Sequence, residues 1–242
     1  MIIILATIFC DIRSNILFKY LISIILISVI SLLLIAQPDI GQTLLVVFCW
    51  AVLIFTSGIN IYILLAIFIA GASLLTYLII YVPRFDYIQG RIFSFFNRET
   101  GTHNFQSDKA IESITSGGFF GKGIGEGVLK NRVPEAHTDY IISVISEEFG
   151  VVAIMLILLL FLILIYMVFK KISFETNDKV KLILIGSISL ILMQATIHIG
   201  VNIRLFPTTG MTLPFLSYGG SSIISTSILA GIILNLTKRK IT

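Results

Sequence analysis

Glu135, His137, Asp139, Glu147 and Glu148 crowd into one short stretch, PEAHTDYIISVISEEFG at 134–150. A carboxylate held ionised at a membrane surface has a specific use: it accepts the proton of a hydroxyl nucleophile, as a general base must. Projected as a helix at about 100° per residue, Glu135, Asp139, Ser143, Ser146 and Gly150 share one face. Tyr140, Ile141, Val144, Ile145 and Phe149 form the other, and Glu148 is the exception. Either Thr138 caps this helix or Pro134 opens it one turn earlier. Both put Asp139 near a helix start, where the dipole favours its ionised form. The same spacing also suits a capping and solvating cluster ahead of a membrane span, with no chemistry. In both readings the polar residues face water.

Other stretches carry weaker signals. GGFFGKGIGEG at 117–127 has neither GxGxxG spacing nor the Ser/Thr that follows the lysine of a Walker loop, and no strand precedes it. Its glycines instead let backbone approach backbone or a bulky ligand, while Lys122 is placed to meet a diphosphate as a point charge. RLFPTTGMTLPFLSYGGSS at 204–222 mixes helix breakers with hydroxyls. Broken backbone at membrane depth is tolerated where protein or a water-filled cavity satisfies it, so this is a re-entrant turn, the outer wall of a substrate cavity, or both. Gln194, His198 and Asn202 recur every fourth residue inside an apolar run, which expects them on an interior face; a lone His198 is a poor metal site. Asp39, in QPDIG at 37–41, is a helix cap or part of the same outer cavity. Cys10 and Cys49 have no CxxC or Cys/His partner and point to no metal or redox role.

The elements that must position these residues are membrane helices. Of the 242 residues, 57% are hydrophobic and 12% charged, and the mean hydropathy is +1.02. Apolar runs approach the ~20 residues that cross a hydrocarbon core, and their continuity excludes a β-barrel. The expected fold is all-α, a polytopic helical membrane bundle forming a single domain over 1–242. It has a partial segment at 1–10 and six full spans near 15–36, 43–58, 60–82, 151–169, 182–203 and 213–236. Between the third and fourth full spans lies a long mixed loop, 83–150, with seven Lys/Arg and nine Asp/Glu. Arg13, Lys19, Lys170, Lys171, Lys179, Lys181, Lys238, Arg239 and Lys240 all fall on one side of this arrangement. That side is then cytoplasmic, which puts 37–42, 83–150 and 204–212 outside. The net charge of +4 reads as topology and attraction to membrane lipid, with no nucleic-acid groove.

QPDIG, SGGFFGKGIGEG with PEAHTDYIISVISEEFG, and PTTGMTLPFLSYGGSS together resemble the SEDS family of bacterial cell-wall polymerases, which includes FtsW, RodA and SpoVE. The motifs occur in the family's order across essentially the whole chain. Ala136 and Thr212 look more like the division branch, FtsW, than the elongation branch. The resemblance implies a ten-span fold of which this chain, beginning inside the fourth span, is the C-terminal portion. It also implies a peptidoglycan glycosyltransferase that polymerises lipid II at the outer face of the bacterial cytoplasmic membrane, at the division septum. Asp139 falls on the family's essential aspartate, the base for the acceptor hydroxyl. Around it, Glu135, His137, Thr138, Lys122 and Ser143 are the candidate substrate contacts from the large loop. Pro207, Thr208, Gly210, Ser217, Gly219, Gly220 and Ser221 are those from the last one. The resemblance further implies a divalent cation, Mg or Mn, no organic cofactor, and a class B penicillin-binding protein among other division proteins as partners. A transporter of lipid-linked precursors and an inactive truncated scaffold are the competing readings.

Overall fold

The computed structural model describes residues 1–11, 15–97, 102–127 and 135–238. Arg13, Arg98, Glu99, Lys130, Arg132, Pro134, Arg239 and Lys240, which entered the charge and capping expectations, lie outside them, as does the side chain of Arg84. The chain is helical throughout its ordered elements. They are α1 (Ile2–Cys10), α2 (Ile16–Ala36), α3 (Ile40–Thr56), α4 (Ile61–Tyr81), a 3₁₀ turn (Pro83–Phe85), α5 (Asp86–Asn97), α6 (Thr102–Gly117), α7 (Ile141–Phe174), α8 (Asp178–Asn202) and α9 (Gly220–Thr237). Helices α2, α4, α7, α8 and α9 are long and apolar enough to cross a membrane, and α3 is a shorter apolar helix. These match the six expected spans, with α1 as the partial segment.

Three expectations are corrected. The loop 83–150 contains two helices, α5 and α6, where a mixed loop was expected. The last span starts at Gly220 and not at 213: Phe215 has φ +68° after Pro214, and the Ser217 hydroxyl accepts from the Leu213 amide at 2.8 Å, which holds a turn open to helix. Helix α7 starts at Ile141, because Glu135, at φ +55°, accepts the amides of Thr138, Asp139 and Tyr140 on its carbonyl and winds 135–140 into a separate turn.

The chain divides into two compact units. The first comprises 1–59, 157–196 and 211–242. Its centre is apolar, with Val168 of α7, Leu184, Ile188 and Ile191 of α8 and Ile233 of α9 buried together. Small residues bring helices close: a Cβ on Gly186 would stand 2.8 Å from Ile2, and Cys49 donates to the Gly186 carbonyl. By contrast, α2 leaves Leu17, Leu32 and Leu33 largely exposed. Lipid tails solvate such side chains as well as a protein core does.

The second unit comprises 60–156 and 197–210. It holds α4, α5, α6, the glycine-rich turn, the start of α7 and the end of α8. Gly150, at φ +76°, kinks α7. At the kink a Cβ would lie 2.2 Å from the Phe119 carbonyl oxygen, and one on Gly121 would lie 2.2 Å from that of Glu148. Amides of Lys122 and Gly123 donate to the carbonyls of Glu147 and Glu148, and those of Val151 and Val152 donate to Gly118 and Phe119. The glycines thus serve backbone-to-backbone approach, one of the two uses expected of them.

Candidate functional site

The turn 135–140 places Asp139 half-buried, just ahead of α7. Its backbone is tied down by α8: Asn202 Nδ2 donates to the Asp139 carbonyl at 3.0 Å and to the His198 carbonyl at 2.9 Å. Its side chain is bordered by the last loop, since a Cβ on Gly210 would be 3.5 Å from Asp139 Oδ2. A side chain there would take up the space beside the carboxylate, and Gly210 at φ +70° leaves it clear. Arg91 of α5 donates to the Thr208 carbonyl at 3.2 Å, which fixes its guanidinium on the loop that flanks the carboxylate.

The electrostatics reverse the expectation drawn from the helix dipole. Burial pushes the Asp139 carboxyl above the usual carboxylate range, and the nearby Glu135 charge adds to this. A hydrogen bond with Thr138 and the charge of Arg91 oppose the rise without cancelling it. Desolvation disfavours the ionised form because Asp139 is half-buried among its neighbours. The adjacent Tyr140 hydroxyl is likewise pushed up by burial and then by Asp139. A carboxylate with a raised proton affinity is a better proton acceptor once ionised.

Of the other candidates in this unit, Thr138 donates to the carbonyl and carboxylate of Glu135, and His137 and Glu135 are exposed on the same turn. Pro207 and Thr208 precede Gly210 on the flanking loop. Ser143 is a correction. It was expected on a water-facing side with Ser146, yet both are fully buried, as is Glu147. Ser143 donates to the Tyr140 carbonyl, and its own carbonyl accepts from Ser113. Ser146 donates to the Ile114 carbonyl. The polar face of α7 therefore packs on α6. Lys122 stands over this buried face with Nζ 3.4 Å from Glu147 Oε1, while Ser113 donates to Oε2 at 3.2 Å. Its ammonium pairs with this buried carboxylate while its side chain stays 37% exposed.

The stretch 204–222 is divided between the two units. Residues up to Gly210 belong to the unit of Asp139, whereas Ser217, Gly219, Gly220 and Ser221 belong to the other. There Gln194 Nε2 donates to the Thr212 carbonyl at 2.9 Å and lies 3.2 Å from the Ser222 hydroxyl, which accepts from Thr212 at 2.7 Å. Ser217 is used inside its turn, and a Cβ on Gly219 would be 3.1 Å from Thr212. Ser221, Gln194 and Asp39 line a cavity of about 610 Å³ in that unit. Asp39 also caps α3 by accepting the Gln42 amide at 2.9 Å, as the first of its two readings expected. The stripe of α8 is interior, as expected, but serves the two units separately: Gln194 in one, His198 and Asn202 in the other. Arg91 and Asn202 were not singled out beside Asp139, because no spacing rule links residues so far apart in the chain.

The family model FTSW_RODA_SPOVE, described as cell cycle protein, matches residues 1–241. The probable peptidoglycan glycosyltransferase FtsW of Caulobacter vibrioides is 36% identical over 214 residues, covering 86% of this chain and 52% of that protein. The protein of the same name from Francisella salina is 38% identical over 223 residues, covering 88% and 54%. The chain thus spans about half the length of the curated relatives it matches. A solved structure described as structural coordination of polymerization and crosslinking by a peptidoglycan synthase complex is similar with a TM-score of 0.76 and 27% identity, over 98% of this chain and 66% of that one. The rod shape determining protein RodA of Thermus thermophilus, solved as an aspartate-to-alanine mutant, is similar with a TM-score of 0.63 and 27% identity, over 98% and 62%.

Proposed function

The chain belongs to the FtsW/RodA/SpoVE family of cell cycle proteins, and from that premise we propose that it is the site-bearing portion of a peptidoglycan glycosyltransferase that polymerises lipid II, with Asp139 as general base. It is a multi-pass bacterial membrane protein. The observation that carries the reading is the placement of Asp139: a half-buried carboxylate of raised proton affinity, anchored through its backbone by Asn202 and bordered by Gly210.

In the proposed step the ionised Asp139 removes the proton of the acceptor sugar's 4-hydroxyl as that oxygen attacks the anomeric carbon of the donor. One C–O bond forms, the bond from the anomeric carbon to undecaprenyl diphosphate breaks, and the diphosphate leaves with the electron pair. General-base assistance of this kind contributes about 10²–10⁴-fold. Arg91 holds the Thr208 loop and lends positive potential at the Asp139 carboxylate. A divalent cation would serve the departing diphosphate by neutralising its charge. Among the described residues no three His, Cys, Asp or Glu side chains gather to hold one, so they do not fit a closed cation site and no step is routed through it.

The proposed setting is the division septum, beside a class B penicillin-binding protein. The FtsW relatives and the likeness to a structure from a peptidoglycan synthase complex support it. The test is glycan polymerisation from labelled lipid II by the chain joined behind the N-terminal portion of the Caulobacter relative. Asp139→Asn should reduce product formation by about 10²–10⁴-fold while leaving membrane insertion intact. Product formed at the unmodified rate would refute the assignment.

A further inference from the structure

In the first unit, four helix ends meet on the side that bears the short basic loops: the ends of α1 at Cys10 and α3 at Thr56, and the starts of α2 at Lys19 and α8 at Asp178. They bound a cavity of about 630 Å³, within the size range of small-molecule sites. Lysines that only mark topology would splay into water. Here Lys19, from one helix, and Lys179 and Lys181, from another, line one cavity over an apolar floor that includes Leu182 and Ile185. Lys19 is drawn in by donating to the Phe9 carbonyl at the end of α1, at 3.1 Å. The opposing charge lining the cavity is Asp178, which is 82% exposed and paired with Lys181 at 3.1 Å. The first amides of α8 are already taken, since Asn177 Oδ1 accepts from Lys179 and Val180 and its carbonyl accepts from Lys181. An anion here is therefore held by ammonium groups and not by the helix terminus. On α2 and α3, close in the chain to the lining residues Lys19 and Thr56, Phe18, Leu21 and Phe55 are exposed and apolar.

We propose that this cavity binds a phosphate, supplied by the headgroup of an anionic glycerophospholipid of the cytoplasmic leaflet whose acyl chains lie along Phe18, Leu21 and Phe55. Basic pockets between membrane helices on the cytoplasmic side suit such headgroups. The inference is independent of any role of Asp139.

The test is retention of lipid by the full chain after extraction from vesicles of equal phosphatidylglycerol and phosphatidylcholine, read by native mass spectrometry. Phosphatidylglycerol should be retained in preference. Replacing Lys19, Lys179 and Lys181 together by Gln should weaken retention roughly fivefold per lysine, about a hundredfold in all. The Arg triple should keep it. Replacing Lys170, Lys171 and Lys238 by Gln removes the same charge from the same side but leaves the cavity lining intact and should weaken retention far less than the first triple. If the first Gln triple does not fold, the three single variants are read at about fivefold each. Equal loss in both Gln triples, or no preference for the anionic lipid, overturns the proposal. Thermal protection by inorganic phosphate alone, as strong as by phosphatidylglycerol and dependent on the three lysines, overturns the lipid as the source.

Discussion

At the turn 135–140, Asp139 keeps part of its carboxylate accessible, its proton affinity is raised by burial and by Glu135, and Gly210 leaves space beside it. Two turns into α7, Glu147 is sealed, with Lys122 on one oxygen and Ser113 on the other. The two residues carry the same functional group in the same acidic stretch. Glu147 has its partners supplied from α6 and the glycine-rich turn, so its charge is spent on holding that turn to the kink of α7. Asp139 is fixed through its carbonyl by Asn202, and its half-buried side chain meets the Thr138 hydrogen bond and the charges of Glu135 and Arg91.

Substitutions at the two positions should separate these uses. The largest effect is expected at Asp139: Asn there should reduce glycan polymerisation by about 10²–10⁴-fold with an unchanged unfolding midpoint, whereas Glu147→Gln should polymerise at a near-normal rate per folded molecule. Polymerisation assays paired with thermal melts in detergent check both. Next, Gly150→Ala should destabilise by about 3 kcal/mol or more, since its Cβ would meet the Phe119 carbonyl and φ is positive. Glu147→Ala, which removes the carboxylate paired with Lys122 and one of the two acceptors of Ser113, should cost about 1–3 kcal/mol. A smaller loss, about 1–2 kcal/mol, is expected for Asn202→Leu, which removes the donor to the Asp139 carbonyl. That variant should lower the polymerisation rate more than it lowers stability, read as rate per folded molecule.

Much of the fold was legible because the bilayer imposes it. Runs such as VVAIMLILLLFLILIYMVF announce α7 by length and hydropathy alone, and the glycines of 117–127 announced a close approach. Helices α5 and α6 were not legible. DYIQGRIFSFFN and THNFQSDKAIESITSG are too polar to register as spans, and they bury few apolar side chains, Ile88 and Ala110 among them, while Phe93, Phe96 and Phe105 stay exposed. The polar face of α7 was found, but its direction was misjudged: polar side chains on a membrane helix turn toward other helices as readily as toward water, and Ser143, Ser146 and Glu147 turn toward α6. Asp139 was legible through its motif, whereas the direction of its proton affinity depends on burial, which no spacing rule supplies.

Stability and activity should respond to pH in opposite senses at Asp139. Its folded proton affinity is raised, so its contribution to stability is fully present below its unfolded pKa and is lost as pH rises through the folded value. A general base needs the opposite state and loses activity as pH falls through that same value. The most direct test is the pH dependence of lipid II polymerisation by the chain joined behind the N-terminal portion of the Caulobacter relative, across the acid limb. The account predicts a single-proton limb above the usual carboxylate range that is absent from the residual activity of Asp139→Asn. A rate that stays flat through that range, or a limb that persists unchanged in Asp139→Asn, would contradict it.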